Sequence, residues 1–108
     1  MSPTAWSVVV TGSAEADLLA IYDYIAERGG TNAANRFVGS IEAYCLGMAN
    51  TPERGTRRDD LRPGLRTVGF RRRATILFQL ERQARKVVIL GIYYAGRNFA
   101  LDDDLSED

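Results

Sequence analysis

The chain is predicted to fold as one α+β domain of order β-α-α-β-β-β, a helical hairpin packed on an antiparallel sheet. Three observations predict this. Two stretches of helical apolar periodicity meet at Gly29-Gly30, three strand-like runs follow residue 64, and 108 residues supply one hydrophobic core but not two.

Trp6, Val8 and Val10 alternate with Ser7 and Val9, which predicts a short first strand. Gly12-Ser13 breaks it, and Ser13 is the expected N-cap of a helix whose first turn holds Glu15 and Asp17, where the dipole favours anions. Ala14, Leu18, Ile21, Tyr22 and Ile25 then recur on one helical face. The glycine pair ends that helix, and Thr31 is expected to cap a second one. Its face is Ala34, Phe37, Val38, Ile41, Cys45 and Met48, stopping before Thr51-Pro52. Two helices with so short a connection form an antiparallel hairpin.

Glu53 to Pro63 is polar and arginine-rich, without apolar periodicity. Strands are predicted at Leu65–Phe70, Ala74–Leu80 and Lys86–Tyr94. The short breaks Arg71-Arg72-Arg73 and Glu81–Arg85 make them consecutive antiparallel hairpins. The continuous run Val87-Val88-Ile89-Leu90 predicts a strand in the interior of the sheet. Residues 1–101 are read as the single domain and 102–108 as an acidic, disordered tail.

Composition narrows the chemistry. Hydrophobic residues make up 45% of the chain and charged residues 26%, values of an ordinary globular protein. There is no histidine, which removes histidine acid–base catalysis, Ser-His-Asp and Cys-His pairs and nearly all zinc sites. No catalytic residue, metal or cofactor is therefore assigned. The apolar runs are too short to span a bilayer, and no charged segment followed by an apolar one opens the chain. With Cys45 as the lone cysteine, the cytoplasm is the expected compartment.

Zero net charge conceals three blocks. Residues 1–53 carry −4, residues 54–100 carry +9, and the tail Asp102, Asp103, Asp104, Glu107 and Asp108 carries −5. Thirteen arginines against the single Lys86 favour planar, bidentate pairing with carboxylates or phosphates, although a GC-rich genome produces the same bias. The basic block suits an acidic protein surface or nucleic acid, and the acidic tail either folds back over it or stays solvated.

These residues resemble the RelE/ParE toxin superfamily. The run Ala16-Asp17-Leu18 with Ile21-Tyr22-Asp23-Tyr24-Ile25 is similar to that family's first helix, and Gly30, Ala33-Ala34 and Phe37 to its second. Pro52, Gly55, Arg58 and Asp60-Leu61-Arg62-Pro63-Gly64-Leu65-Arg66 resemble the ParE-type connection into the sheet. Ile76–Leu80 and Val88–Ile92, followed by Gly96-Arg97, complete a similarity over residues 6–98.

The resemblance implies a small bacterial toxin neutralised by an antitoxin encoded beside it. ParE-like members bind and poison DNA gyrase, whereas RelE-like members cut messenger RNA on the ribosome. Messenger RNA cleavage needs a base, an acid and cations around the phosphate. This chain has Thr75 where RelE-type sequences usually carry an arginine, no counterpart of the RelE lysines, and Phe99 without a hydroxyl. A ParE-like toxin, not an enzyme, is therefore the expectation; an RNase or an inactive antitoxin-binding member are the alternatives.

Target-binding candidates are Arg71, Arg72, Arg73 and Arg97, then Arg57, Arg58, Arg62 and Arg66. Leu19, Tyr24 and Tyr44 are expected to lie off the main apolar faces of their helices, marking the surface for a ParD-like antitoxin. The ParE resemblance implies DNA gyrase as the other partner, with nucleic acid reached only through that complex and no membrane involved.

Overall fold

Alternating burial along the strands places the helical hairpin on one face of a five-stranded sheet, in a computed structural model that describes residues 6–94. The elements are β1 (Ser7–Val10), α1 (Gly12–Gly29), α2 (Thr31–Gly47), β2 (Thr56–Arg57), β3 (Leu65–Phe70), β4 (Ala74–Glu81) and β5 (Lys86–Tyr94). The sheet order is β1-β5-β4-β3-β2.

The predicted α+β fold is the one observed, and three of its strands start where the sequence placed them. Two features add to it. β1 pairs with β5 in parallel, from Ser7 opposite Lys86 to Val10 opposite Ile89, so the sheet is mixed. Within the polar connection, Thr56 and Arg57 form β2 by pairing with Thr67 and Arg66.

β5 lies between β1 and β4, the interior position its apolar run predicts. Its register against β4 slips between Leu77 and Phe78, which face Gly91 and Ile89, leaving Leu90 as the extra residue of a bulge. The bulge changes the phase of the strand. Val87 and Ile89 before it, and Ile92 and Tyr94 after it, consequently all join one core.

That core takes Ala14, Leu18 and Ile21 from α1 and Ile41 and Cys45 from α2, with Met48 just beyond. They meet Phe70, Ile76, Phe78 and Leu80 from the sheet. Each fully buried Ile or Phe contributes roughly 1.5–3 kcal/mol of transfer free energy. Leu65 and Leu77 are also fully buried, but the β3–β4 register and strand alternation put them on the opposite face.

Both helix starts sit earlier than predicted. Thr11, not Ser13, caps α1. Its Oγ1 accepts the Ala14 N–H at 3.2 Å and donates to the Ile89 carbonyl at 2.8 Å. The cap thereby ties the helix to β5. Gly30, at φ 93°, serves both helices, and Thr31 is the first residue of α2. The Gly30 N–H donates to the Ala26 carbonyl, and the Gly30 carbonyl accepts from the Ala34 N–H. Only glycine adopts such a φ at no steric cost.

Candidate functional site

The β3–β4 connection is a turn of three arginines. Arg71 and Arg72 hold φ of 53° and 58°, positive values at both central positions as type I′ turns require. The Arg73 N–H closes the turn onto the Phe70 carbonyl at 3.0 Å. The Arg71 guanidinium lies 4.9 Å from the centroid of the Phe70 ring. All three arginines are exposed.

α2 meets this turn across a cleft of about 520 Å³. Arg71, Arg73 and Arg36 rim it, and Ile25, Phe37 and Tyr94 supply apolar surface. The rings on and beside the apolar side form a chain. Tyr24 contacts Tyr94 (5.6 Å between centroids), Tyr94 contacts Phe37 (5.1 Å), Phe37 contacts Phe70 (5.8 Å) and Phe70 contacts Tyr44 (5.2 Å). The first three pairs are edge-to-face and the fourth is tilted; edge-to-face pairs add about 0.5–1.5 kcal/mol each beyond area burial. Arg36 was not a sequence candidate. It lies in a regular helix 35 positions before the turn, and no local pattern signals that they converge.

The remaining arginine candidates separate by what they touch. Arg58 grips Asp60 with two parallel hydrogen bonds of 3.1 Å through Nε and Nη2. Arg57 pairs with Asp59 at 3.0 Å. Arg66 donates from Nε to the Arg54 carbonyl, and Arg54 itself sits over Tyr44 and donates to its hydroxyl at 2.6 Å. Arg82 pairs with Glu53 at 2.6 Å. Arg57, Arg66 and Arg82 share a second, polar cleft with Glu53 and Asp59, where charges of both signs alternate. By contrast, Arg36, Arg62, Arg71, Arg72 and Arg73 form no ion pair among the described residues. Arg97 lies outside those residues, as does the acidic segment 102–108.

These pairings leave their mark on the carboxylates. Arg82 holds Glu53, and Arg58 holds Asp60, below the ordinary range. Asp59 is lowered first by the Gly64 N–H it accepts and then by Arg57. Burial instead raises Asp17, partly offset by the Ile92 N–H that it accepts. Burial, with Glu42 adding, pushes the Cys45 thiol up to about 11, which suits a core residue rather than a nucleophile.

The apolar candidates also divide. Leu19 is 68% exposed and borders a groove between the helices with Leu18, Tyr22 and Val38, flanked by Glu15 and Glu42. Tyr24 and Tyr44 correct the expectation that they lie off the apolar faces: both pack partly buried against the core. The ring chain draws them in, and Arg28 stacks on Tyr24 with 3.7 Å to its centroid. Leu46, 61% exposed, is surface that helical periodicity did not single out. Among the described residues, no helix is long and apolar enough to cross a membrane, and no group of three or more His, Cys, Asp or Glu could hold a metal.

The family model for the ParE toxin of the type II toxin-antitoxin system parDE matches residues 8–99. The chain belongs to the ParE toxin family. Among solved structures, this ParE-family toxin is similar to a chain of the chromosomal ParDE system from P. aeruginosa, with TM-score 0.72 and 27% identity. The match covers 85% of this chain and 98% of that one. The RelBE2 toxin-antitoxin complex from Mycobacterium tuberculosis follows at TM-score 0.62 and 16% identity, covering 84% and 99%. The isolated E. coli RelE toxin gives 0.57 and 10%, covering 95% and 98%. The last two share the fold alone. No protein of curated function matches the chain significantly.

Proposed function

We propose that this ParE-family toxin acts in the bacterial cytoplasm by binding DNA gyrase and stalling it with cleaved DNA, and that a ParD-like antitoxin neutralises it. The observation that carries the target reading is the arginine turn. Three exposed arginines occupy one tight hairpin turn, and none is committed to a carboxylate among the described residues. Left-handed backbone at a non-glycine residue costs on the order of 1–2 kcal/mol, and two of these arginines hold it. Such a cluster binds an acidic or phosphate-bearing surface by stoichiometric docking and needs no proton transfer.

A chain without histidine is poorly equipped for general acid–base work. This supports docking over RNA cleavage. Arg62 is a supporting contact of the same kind, and Arg97 belongs with the turn as a proposed target residue. Arg57, Arg58 and Arg66 have intramolecular duties and stand behind them.

The antitoxin reading rests on Leu19. An apolar side chain from a partner helix fits the groove beside it, and basic flanking residues would meet Glu15 and Glu42. Tyr24 and Tyr44 contribute at most their outer edges.

Purified toxin, freed of antitoxin, is tested on gyrase by following supercoiling and trapped linear DNA together. Linear DNA that disappears on adding antitoxin is the expected result. The variant with Arg71, Arg72 and Arg73 all changed to Glu should need at least ~10-fold more protein for the same effect. A folded, growth-inhibiting toxin that leaves gyrase untouched overturns the reading and makes the ribosome the next target to assay.

A further inference from the structure

We propose that the acidic segment Leu101–Asp108 of this chain docks in the cleft between α2 and the β3–β4 turn, covering Arg36, Arg71 and Arg73 until a partner displaces it. This is independent of which target the toxin binds.

The cleft has a specific chemistry. Arg36, Arg71 and Arg73 stand around apolar surface from Ile25, Phe37 and Tyr94, and none of the three arginines pairs with a carboxylate among the described residues. A fitting occupant carries several carboxylates interleaved with apolar side chains. Leu101-Asp102-Asp103-Asp104-Leu105-Ser106-Glu107-Asp108 has two leucines and five acids in eight residues. No other eight-residue stretch of the sequence combines so many acids with no base.

Position favours the same occupant. Tyr94, the last residue of β5, itself lines the cleft and pairs with Ala74, the residue directly after the arginine turn. The six residues 95–100 therefore start at the wall of the cleft and, fully extended, reach about 20 Å. A tether that short holds the acidic segment at an effective concentration in the millimolar range. Weak individual charge pairs are then enough for substantial occupancy at low salt.

The consequence is competition. A target or antitoxin approaching the arginine turn meets a preformed internal competitor, whose removal should speed or tighten its binding. Salt weakens the internal contact because it is mainly electrostatic.

A nitroxide on the full-length chain tests this directly. The Ser106→Cys variant is labelled at its new thiol; Cys45, 3% exposed, stays unlabelled under native conditions. Paramagnetic broadening is read on backbone amides at 20 mM and 500 mM salt. The expected result is strong broadening at Arg36, Ser40 and Arg71–Arg73 at low salt, at least ~3-fold greater than at Glu15 and Leu19. That difference should be lost at high salt and in the variant carrying both Arg71→Glu and Arg73→Glu. Uniform or absent broadening in a folded chain overturns the proposal, as does broadening concentrated elsewhere. So does equal broadening when spin label and isotope are on different molecules, which would assign the contact to a second copy.

Discussion

The carboxylate of Asp17, in the second turn of α1, accepts the backbone N–H of Ile92 in β5 at 2.9 Å. The reason lies in strand lengths. β1 covers β5 only as far as Ile89, whose carbonyl takes both the N–H and the hydroxyl of Thr11. Beyond that point β5 has no strand on this side, and the Asp17 side chain stands in for one.

Asp17 should therefore oppose stability as it ionises. Its pKa is raised in the fold, chiefly by burial, so the folded state keeps the proton to higher pH than the unfolded chain. Stability falls as pH rises from about 4 through the folded pKa. Asp17→Asn retains an acceptor and abolishes that decline, so it should equal the parent below pH 4 and exceed it at pH 7. Asp17→Ala strands the Ile92 N–H and should cost about 1–3 kcal/mol below pH 4, a deficit that narrows as pH rises because only the parent carries the cost of ionisation. Urea denaturation across pH 3.5–8 measures both. Glu53, Asp59 and Asp60 act with the opposite sign. Their lowered pKa values give contributions present above their unfolded pKa values and lost as pH falls through the folded ones. All three are exposed, so 0.5 M salt should flatten their part of the profile but spare that of Asp17.

Two glycine replacements should move stability in opposite directions. At Gly55, φ is +80°, and a Cβ would stand 2.2 Å from the Thr67 carbonyl oxygen. Gly55→Ala should cost about 3 kcal/mol or more, since the obstruction is backbone of the neighbouring strand. Gly39 lies within α2, and a Cβ there meets nothing within 4 Å. Gly39→Ala should add about 0.5–1 kcal/mol. Thermal melts of the pair check both.

Cys45 should report global opening. It is 3% exposed, and its thiol is pushed up to about 11. At pH 8 its reaction with an aromatic disulfide reagent should be at least about 100-fold slower than in denaturant. Faster reaction in a folded sample would mean that α2 detaches locally.

The ring chain should behave as a unit. Phe37 touches both Phe70 and Tyr94, so Phe37→Ala should cost about 3 kcal/mol. A double-mutant cycle with Tyr94→Leu should show coupling of about 1 kcal/mol. A coupling near zero would mean that the contact adds nothing beyond separate burial.

Local signals made much of this fold readable. Ala14, Leu18 and Ile21 keep helical spacing because their side of α1 packs on one face of the sheet, and the two hairpins follow from breaks too short for any other connection. The parallel seam between Val8 and Val87 was not readable, because no pattern near either residue records a partner 79 positions away. Nor was β2: Thr56 and Arg57 are exposed, show no alternation, and become strand only because β3 offers an edge. Ser13 looked like a cap by composition, whereas Thr11 wins because its hydroxyl also reaches Ile89. Among the arginines, Asp59 and Asp60 sit two residues beyond Arg57 and Arg58, a spacing that could have marked those pairs as internal. The meeting of Arg36 with the turn is tertiary and left no local trace.

The parallel β1–β5 seam also orders events during synthesis. α1 and α2 emerge from the ribosome long before β5, so their apolar sides first appear with no sheet to cover them. β1 has no neighbour until the segment around Val87 is made, and Thr11 and Asp17 have no partners until Ile89 and Ile92 follow. The nascent chain thus stays unfinished until β5 is made, and its arginine turn is presented on a completed sheet only once that strand has been delivered.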